Sequence, residues 1–287
     1  MPSWTYLATP AAACWAGLEP WFLDVNSDDW QLKPDMVHRA LTSAPGELSA
    51  VIVVAPFGSR FDSDAWDDFA RESGLPVVID AAAGFDTATA GEVPVMVSLH
   101  ATKPLSTGEG GLVMTRNKAL SAKIRALSQY GFADSHNVTM AGQNAKLSEY
   151  AAAVGLAALD GWPERREALL ARTTAYLKGL AASPDIRSAP GTGTDVASST
   201  LNVVLNSPNV DEVMAELAAN GIETRQWWHK GCHVKPAYAN CPRTNLPVTE
   251  DLAQRMLSLP FFADLAFEDI DRVCRALSRC VRSGMNS

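Results

Sequence analysis

One lysine, Lys103, stands between two apolar runs in the stretch Val95-Met-Val-Ser-Leu-His-Ala-Thr-Lys-Pro-Leu-Ser-Thr-Gly-Glu-Gly-Gly-Leu-Val-Met-Thr115. An amine held between buried strands loses hydration in its charged form, so its pKa falls and it becomes a usable nucleophile or base. Ser98, five residues earlier, is near enough to serve an anion beside that amine. Upstream, a short apolar run ends in Asp80 and continues as Ala-Ala-Ala-Gly84. The carboxyl ends of strands in parallel sheets are where ligands sit, which makes an acid there a candidate. Taken singly, the lysine reads as incidental to a surface hairpin and the aspartate as a helix cap. Taken together, with small residues that let a flat ring approach, they point to pyridoxal 5'-phosphate. Lys103 would be the Schiff-base amine and Asp80 the partner of the pyridinium nitrogen.

The elements that must position these groups alternate. Residues 50–55 are a continuous apolar strand of the parallel-sheet kind, ended by Pro56 and Gly58. Residues 64–71 form an amphipathic helix closed by Gly74, and strands lead to Asp80 and to Ser98. After Gly108, Gly110 and Gly111 the chain re-enters a strand, then a helix over 117–129 with Leu120, Ile124 and Leu127 on one face. Nearer the start, residues 11–16 read as a helix capped at Gly17, 20–25 as a strand and 35–41 as a helix. This is the βαβ rhythm of a wound, mostly parallel sheet. A helix over 163–180 links to a second unit: a loop at 181–194, strands at 200–205 and 222–225, a helix at 210–220, a helix and strand within 246–260, and a terminal helix at 267–281. The expected division is a large α/β domain over 1–160, then a linker helix and small α+β domain over 161–287.

Composition sets the bounds. The 287 residues are 47% hydrophobic and 20% charged, as in an ordinary globular protein. A net charge of -8 argues against a nucleic-acid footprint, which needs a basic face, and no basic helix-turn-helix is apparent. No apolar run is long enough for a bilayer, and the start lacks the basic-then-apolar layout of a signal peptide. Five cysteines, an odd number at scattered spacing, fit reduced thiols and a cytoplasmic location. His229, Cys232, His233 and Cys241 cluster, but their spacing matches no standard zinc pair, and no metal is expected.

Ser98-Leu-His-Ala-Thr-Lys103 followed by Gly108-Glu-Gly-Gly111 resembles the signature of the DegT/DnrJ/StrS sugar aminotransferases, fold type I enzymes dependent on pyridoxal phosphate. The resemblance runs from the first residue to about Ala276. It implies transfer of an amino group from an amino acid, commonly glutamate, to a keto sugar carried on a nucleotide. It also implies a homodimer with shared active sites. Met1-Pro-Ser-Trp-Thr-Tyr-Leu-Ala-Thr-Pro10 is similar to an internal family segment in which Tyr6 would stack on the cofactor ring. Gly142-Gln-Asn-Ala-Lys-Leu-Ser-Glu149 matches a run whose asparagine, here Asn144, would reach the partner's cofactor phosphate, with Ser98 as the other phosphate ligand. The loop after Gly221 matches the family's G-I-x-T-R…H…P-A-Y pattern, which lies beside the substrate mouth; the resemblance implies that Arg225, His233 and Tyr238 order this loop or meet the sugar nucleotide, with His100 also on the substrate side.

Two departures from the family accompany the match. Ala83 stands three residues after Asp80, where many members place Gln, Glu or His against the cofactor. The family segment that precedes residue 1 and binds the cofactor phosphate has no counterpart, so a truncated, inactive, dimeric homologue is the alternative expectation.

Overall fold

The computed structural model describes residues 1–132 and 137–284. In chain order the elements are α1 (Ala8–Trp15), α2 (Pro34–Leu41), β1 (Val51–Val54), α3 (Ser63–Ser73), β2 (Val77–Asp80), β3 (Val95–Ser98), β4 (Gly111–Met114) and α4 (Lys118–Leu127). They continue with α5 (Glu149–Asp160), α6 (Trp162–Leu180), β5 (Ile186–Ser188), β6 (Leu201–Leu205), α7 (Val210–Ala219), α8 (Pro247–Arg255), β7 (Met256–Leu259) and α9 (Phe267–Gly284).

The apolar runs β1, β2 and β3 lie side by side and parallel, and β4 turns back antiparallel on β3. Val54 pairs with Asp80, Asp80 with Met96, and Ser98 with Gly111. The carboxyl ends of the parallel strands therefore share one edge, which carries Asp80 and Ser98. Val53, Ile79 and Val95 are buried with Trp66 and Phe69 of α3. Asp62 caps α3 by accepting from the Ala65 N–H, and Gly74 ends it with φ of 70°.

A second, antiparallel sheet runs in the order β5-β6-β7. Leu201, Val203 and Leu205 of β6 and Leu257 and Leu259 of β7 are buried against α6, α7 and α9 in a core of their own. Between the two sheets lies an aromatic cluster in which Trp228 stacks on Phe57 at 4.1 Å and meets Trp4 edge-on at 5.5 Å. Among the described residues no helix is long and apolar enough to cross a membrane.

Three expectations about elements need correction. Residues 20–25 form no regular strand: Phe22 and Leu23 make isolated bridges to Arg243 and Pro2, because each neighbouring segment offers only a short pairing edge. The strand expected at 222–225 reduces to one bridge, Arg225 to Ser258, which leaves the following loop free to turn towards the first sheet. The loop expected at 181–194 contains β5, a short edge strand whose prolines and glycines lie just outside its paired residues.

Candidate active site

The turn that carries Lys103 is built by backbone bonds at both ends. Leu99 N–H donates to the Gly110 carbonyl and Thr107 N–H to the Leu99 carbonyl, both at 2.9 Å. The Lys103 N–H closes the tip on the His100 carbonyl, also at 2.9 Å. Gly110 is required here: its φ is 154°, and a Cβ would lie 2.7 Å from Leu147 and 2.9 Å from the Thr107 hydroxyl. Lys103 is half-buried. Burial lowers its pKa from the ordinary lysine value, and the Asp80 carboxylate pulls it partly back.

Asp80 ends β2 with both oxygens engaged. Oδ1 accepts from the Ala82 N–H at 3.1 Å, and Oδ2 accepts from the Thr9 hydroxyl at 2.8 Å. Burial raises its pKa, against the lowering pull of Thr9, the Ala82 N–H and the Lys103 charge. The two groups thus lie within electrostatic reach of each other, each pushed by desolvation towards its neutral form. Thr9 was not among the residues singled out from sequence. It sits one turn after Thr5, its hydroxyl 2.8 Å from that of Thr5, and both are buried. The Thr5-to-Thr9 spacing at a helix start was the signal available.

The remaining candidates fall into three groups. At the strand ends, Ser98 Oγ accepts from the His100 N–H at 3.2 Å, and its own N–H donates to the Ala82 carbonyl at 3.1 Å. Ala83 offers only a methyl and packs its backbone against Gly58, whose φ is 86° and whose missing Cβ would lie 2.6 Å from the Ala83 carbonyl oxygen. Tyr6 is 57% exposed, on the turn that leads to Thr9. His100 points to its own hairpin, with Nδ1 2.9 Å from the Thr102 hydroxyl and Nε2 3.6 Å from Glu109.

Arg225 lines a cavity of about 680 Å³ with Thr102 of the lysine turn, Arg165, Trp227, Phe261 and Arg272. Its guanidinium is 3.2 Å from Glu223 and 5.5 Å from the Trp227 ring centre. Asn144 is exposed, and its side-chain oxygen accepts from Lys146 at 2.9 Å.

His233 and Tyr238 go elsewhere. His233 is 5% exposed, with Nδ1 2.7 Å from the Ser3 hydroxyl. Burial and Arg243 lower its pKa, against opposing pulls from Glu250 and Asp24. Tyr238 packs edge-on to Phe22. Cys232 is buried, donates to the Thr5 carbonyl, and has its thiol pushed up to about 12 by burial. These contacts tie the 231–238 loop to the segment that carries Thr5, Tyr6 and Thr9, and among the described residues no group of His, Cys, Asp and Glu gathers as a metal site would need.

A strand-end carboxyl with a desolvated amine within its field, and an exposed aromatic on the turn that leads to Thr9, are the chemistry that suits a flat, cationic ring with a reactive carbonyl. The chain is 33% identical to the dTDP-3-amino-3,4,6-trideoxy-alpha-D-glucose transaminase of Streptomyces venezuelae, across 91% of this chain and 70% of that protein. The structure of DesI in the presence of its TDP-sugar product superposes with a TM-score of 0.88 at 36% identity, over 100% of this chain and 75% of DesI. That of S. venezuelae DesV in complex with a ketimine intermediate gives 0.86 at 29%, over 98% and 77%. The model of the DegT/DnrJ/EryC1/StrS aminotransferase family matches residues 1–278, and the chain belongs to that family.

Proposed function

We propose that this chain transfers an amino group from an amino acid, glutamate, to a keto sugar carried on a nucleotide, with pyridoxal phosphate held at Lys103 and Asp80. The observation that carries the reading is the pairing of a burial-raised Asp80 with a burial-lowered Lys103 across one sheet edge. Bound there, pyridoxal phosphate supplies an aldehyde that condenses with primary amines and a ring that accepts electron density from the donor's α-carbon.

This chain's residues do the rest. The Asp80 carboxylate would face the ring nitrogen and hold a proton on that nitrogen. Thr9 and the Ala82 N–H fix the carboxyl's orientation. The Lys103 amine, whose pKa burial lowers, would be the base that takes a proton from carbon and returns it. Tyr6 would stack on the ring. Ser98, with Asn144 of a second copy, would hold the phosphate. Arg225 and His100 would lie on the substrate side, and His233 and Tyr238 would order the loop beside it.

The same reading assigns residues 1–160 to a cofactor-binding domain and 161–287 to a linker helix and small domain. It also makes the protein a homodimer. The support is α5, whose outward Tyr150 and Leu156 are 82% and 65% exposed on a helix with charges only near its ends. Five free cysteines suit a cytoplasmic setting. Borohydride reduction followed by mass spectrometry of the peptides tests the assignment. A pyridoxyl mass on the peptide that contains Lys103 is expected, and its absence there would sink the reading.

A further inference from the structure

The first turns of α6 carry two consecutive arginines, and each reaches a different catalytic segment. Arg165 donates from Nε to the carbonyl of Pro104, 2.8 Å away and one residue past Lys103. Arg166 donates from Nε to Oδ1 of Asp86 at 2.6 Å, and Asp86 lies six residues into the loop that follows Asp80 and leads to β3. The Asp86 side chain is 6% exposed, and its other oxygen accepts from the Ala197 N–H at 2.9 Å. The Arg166 Nη2 continues to the Asp195 carbonyl at 2.8 Å. At the head of the helix, Trp162 meets Phe85 edge-on at 5.0 Å.

We propose that Arg165 and Arg166 are positioning residues that clamp the Lys103 turn and the Asp80 loop to one another through the start of α6. The proposal rests on the reading of Lys103 and Asp80 as the catalytic pair. Successive helical residues point roughly 100° apart, so two neighbouring side chains from one rigid element can serve two separate segments. The guanidinium suits this task, since its planar fork keeps donors for more than one acceptor. Proline has no N–H to anchor the turn through, so its carbonyl is the backbone handle next to the lysine.

The charged group that acts on the amine is Asp80 of β2; His100 and Glu109 pair with each other on the same hairpin, and Arg165 of α6 bonds the carbonyl of the next residue. With the clamp intact the lysine stays shielded from water. Released, the turn admits water, and the amine regains the hydration of its charged form.

The test compares Arg165→Met, which keeps the stem and removes the donors, with Arg165→Lys, Arg166→Lys and Arg172→Met. Arg172 also lies on α6 but binds the Leu265 carbonyl and covers Phe267, away from both catalytic segments. In the full chain freed of cofactor, the pH dependence of Lys103 acetylation by acetic anhydride, read by mass spectrometry, gives the apparent pKa of the amine. Arg165→Met is expected to move it up towards that of the protein's other lysines. In the cofactor-loaded protein kcat falls by about a hundredfold with little change in KM, since a misplacement of about 1 Å is enough for that. Arg165→Lys recovers part of the loss, and Arg166→Lys lowers kcat in the same direction. Arg172→Met lowers the melting temperature and leaves the Lys103 pKa in place. If Arg165→Met changes only the melting temperature, the clamp is overturned. A wild-type Lys103 that titrates as an ordinary lysine and takes no pyridoxyl mass would instead overturn the catalytic reading, and the clamp with it.

Discussion

The hydroxyl of Thr9 donates to Oδ2 of Asp80 at 2.8 Å, joining the start of α1 to the end of β2. The link runs back to Thr5, and Thr5 is in turn held by Cys232 of the 231–238 loop. The buried Cys232 is thereby connected, through Thr5 and Thr9, to the acid that would govern the cofactor ring. Thr9→Val keeps the shape and removes the donor. A hydrogen bond to a charged group contributes about 1.5 to 3 kcal/mol, so a loss of roughly tenfold or more in kcat is expected with the fold intact. Steady-state kinetics beside a circular dichroism melt would check it, and unchanged kcat would show that the carboxyl needs no such orientation.

Asp80 makes an unusual pH prediction. Its pKa is raised by burial above the reference value of 3.8. Between these two values the folded chain binds more protons than the unfolded chain, so stability falls as the pH rises through the window. Below 3.8 the carboxyl is protonated in both states and the cost vanishes. In the cofactor-free Asp80→Asn variant that loss is absent, and thermal melts from about pH 4 to about pH 7 should show a flatter profile than wild type. The same variant should lose roughly a hundredfold or more in turnover, because it removes a charge aimed at the reacting ring.

Gly58 lies against the loop that follows Asp80. Alanine there must adopt a φ of 86° and place its Cβ 2.6 Å from a backbone oxygen of Ala83, which cannot swing aside as a side chain would. Left-handed strain alone costs about 1 to 3 kcal/mol for a residue with a Cβ. Gly58→Ala should therefore lower the unfolding free energy, read from a denaturant titration, by that much and weaken cofactor affinity with it. A variant with native stability would mean that the turn at 56–58 yields.

The exposed face of α5 predicts the assembly. Tyr150→Asp with Leu156→Glu sets charge where a second copy would bury apolar surface. Light scattering should show a shift from dimer to monomer at micromolar concentration, accompanied by loss of turnover if Asn144 serves the partner's site. A wild-type protein that is monomeric by the same measurement would exclude the shared site.

The strand and helix rhythm, the strand-end Asp80 and the lysine turn were legible in the linear sequence because each depends on local patterning: apolar runs, glycines at the turn and spacing from Ser98 to Lys103. Strands that owe their existence to neighbours were not. Residues 20–25 have strand-like composition yet form only bridges, while β5 sits within a stretch rich in proline and glycine and still pairs with β6. The same limit applies to the site. Asp80 and Lys103 announce themselves by type and position, but Thr9, Arg165 and Arg166 look like ordinary helix residues until the fold brings them to Asp80, Pro104 and Asp86. His233 carries a substrate-side expectation from its motif, and the structure buries it against Ser3. Residue type and local spacing determined which groups could do chemistry; the folded chain decided which neighbours orient them, because hydrogen bonds across 61 to 80 positions exist only once two sheets and a linking helix are packed.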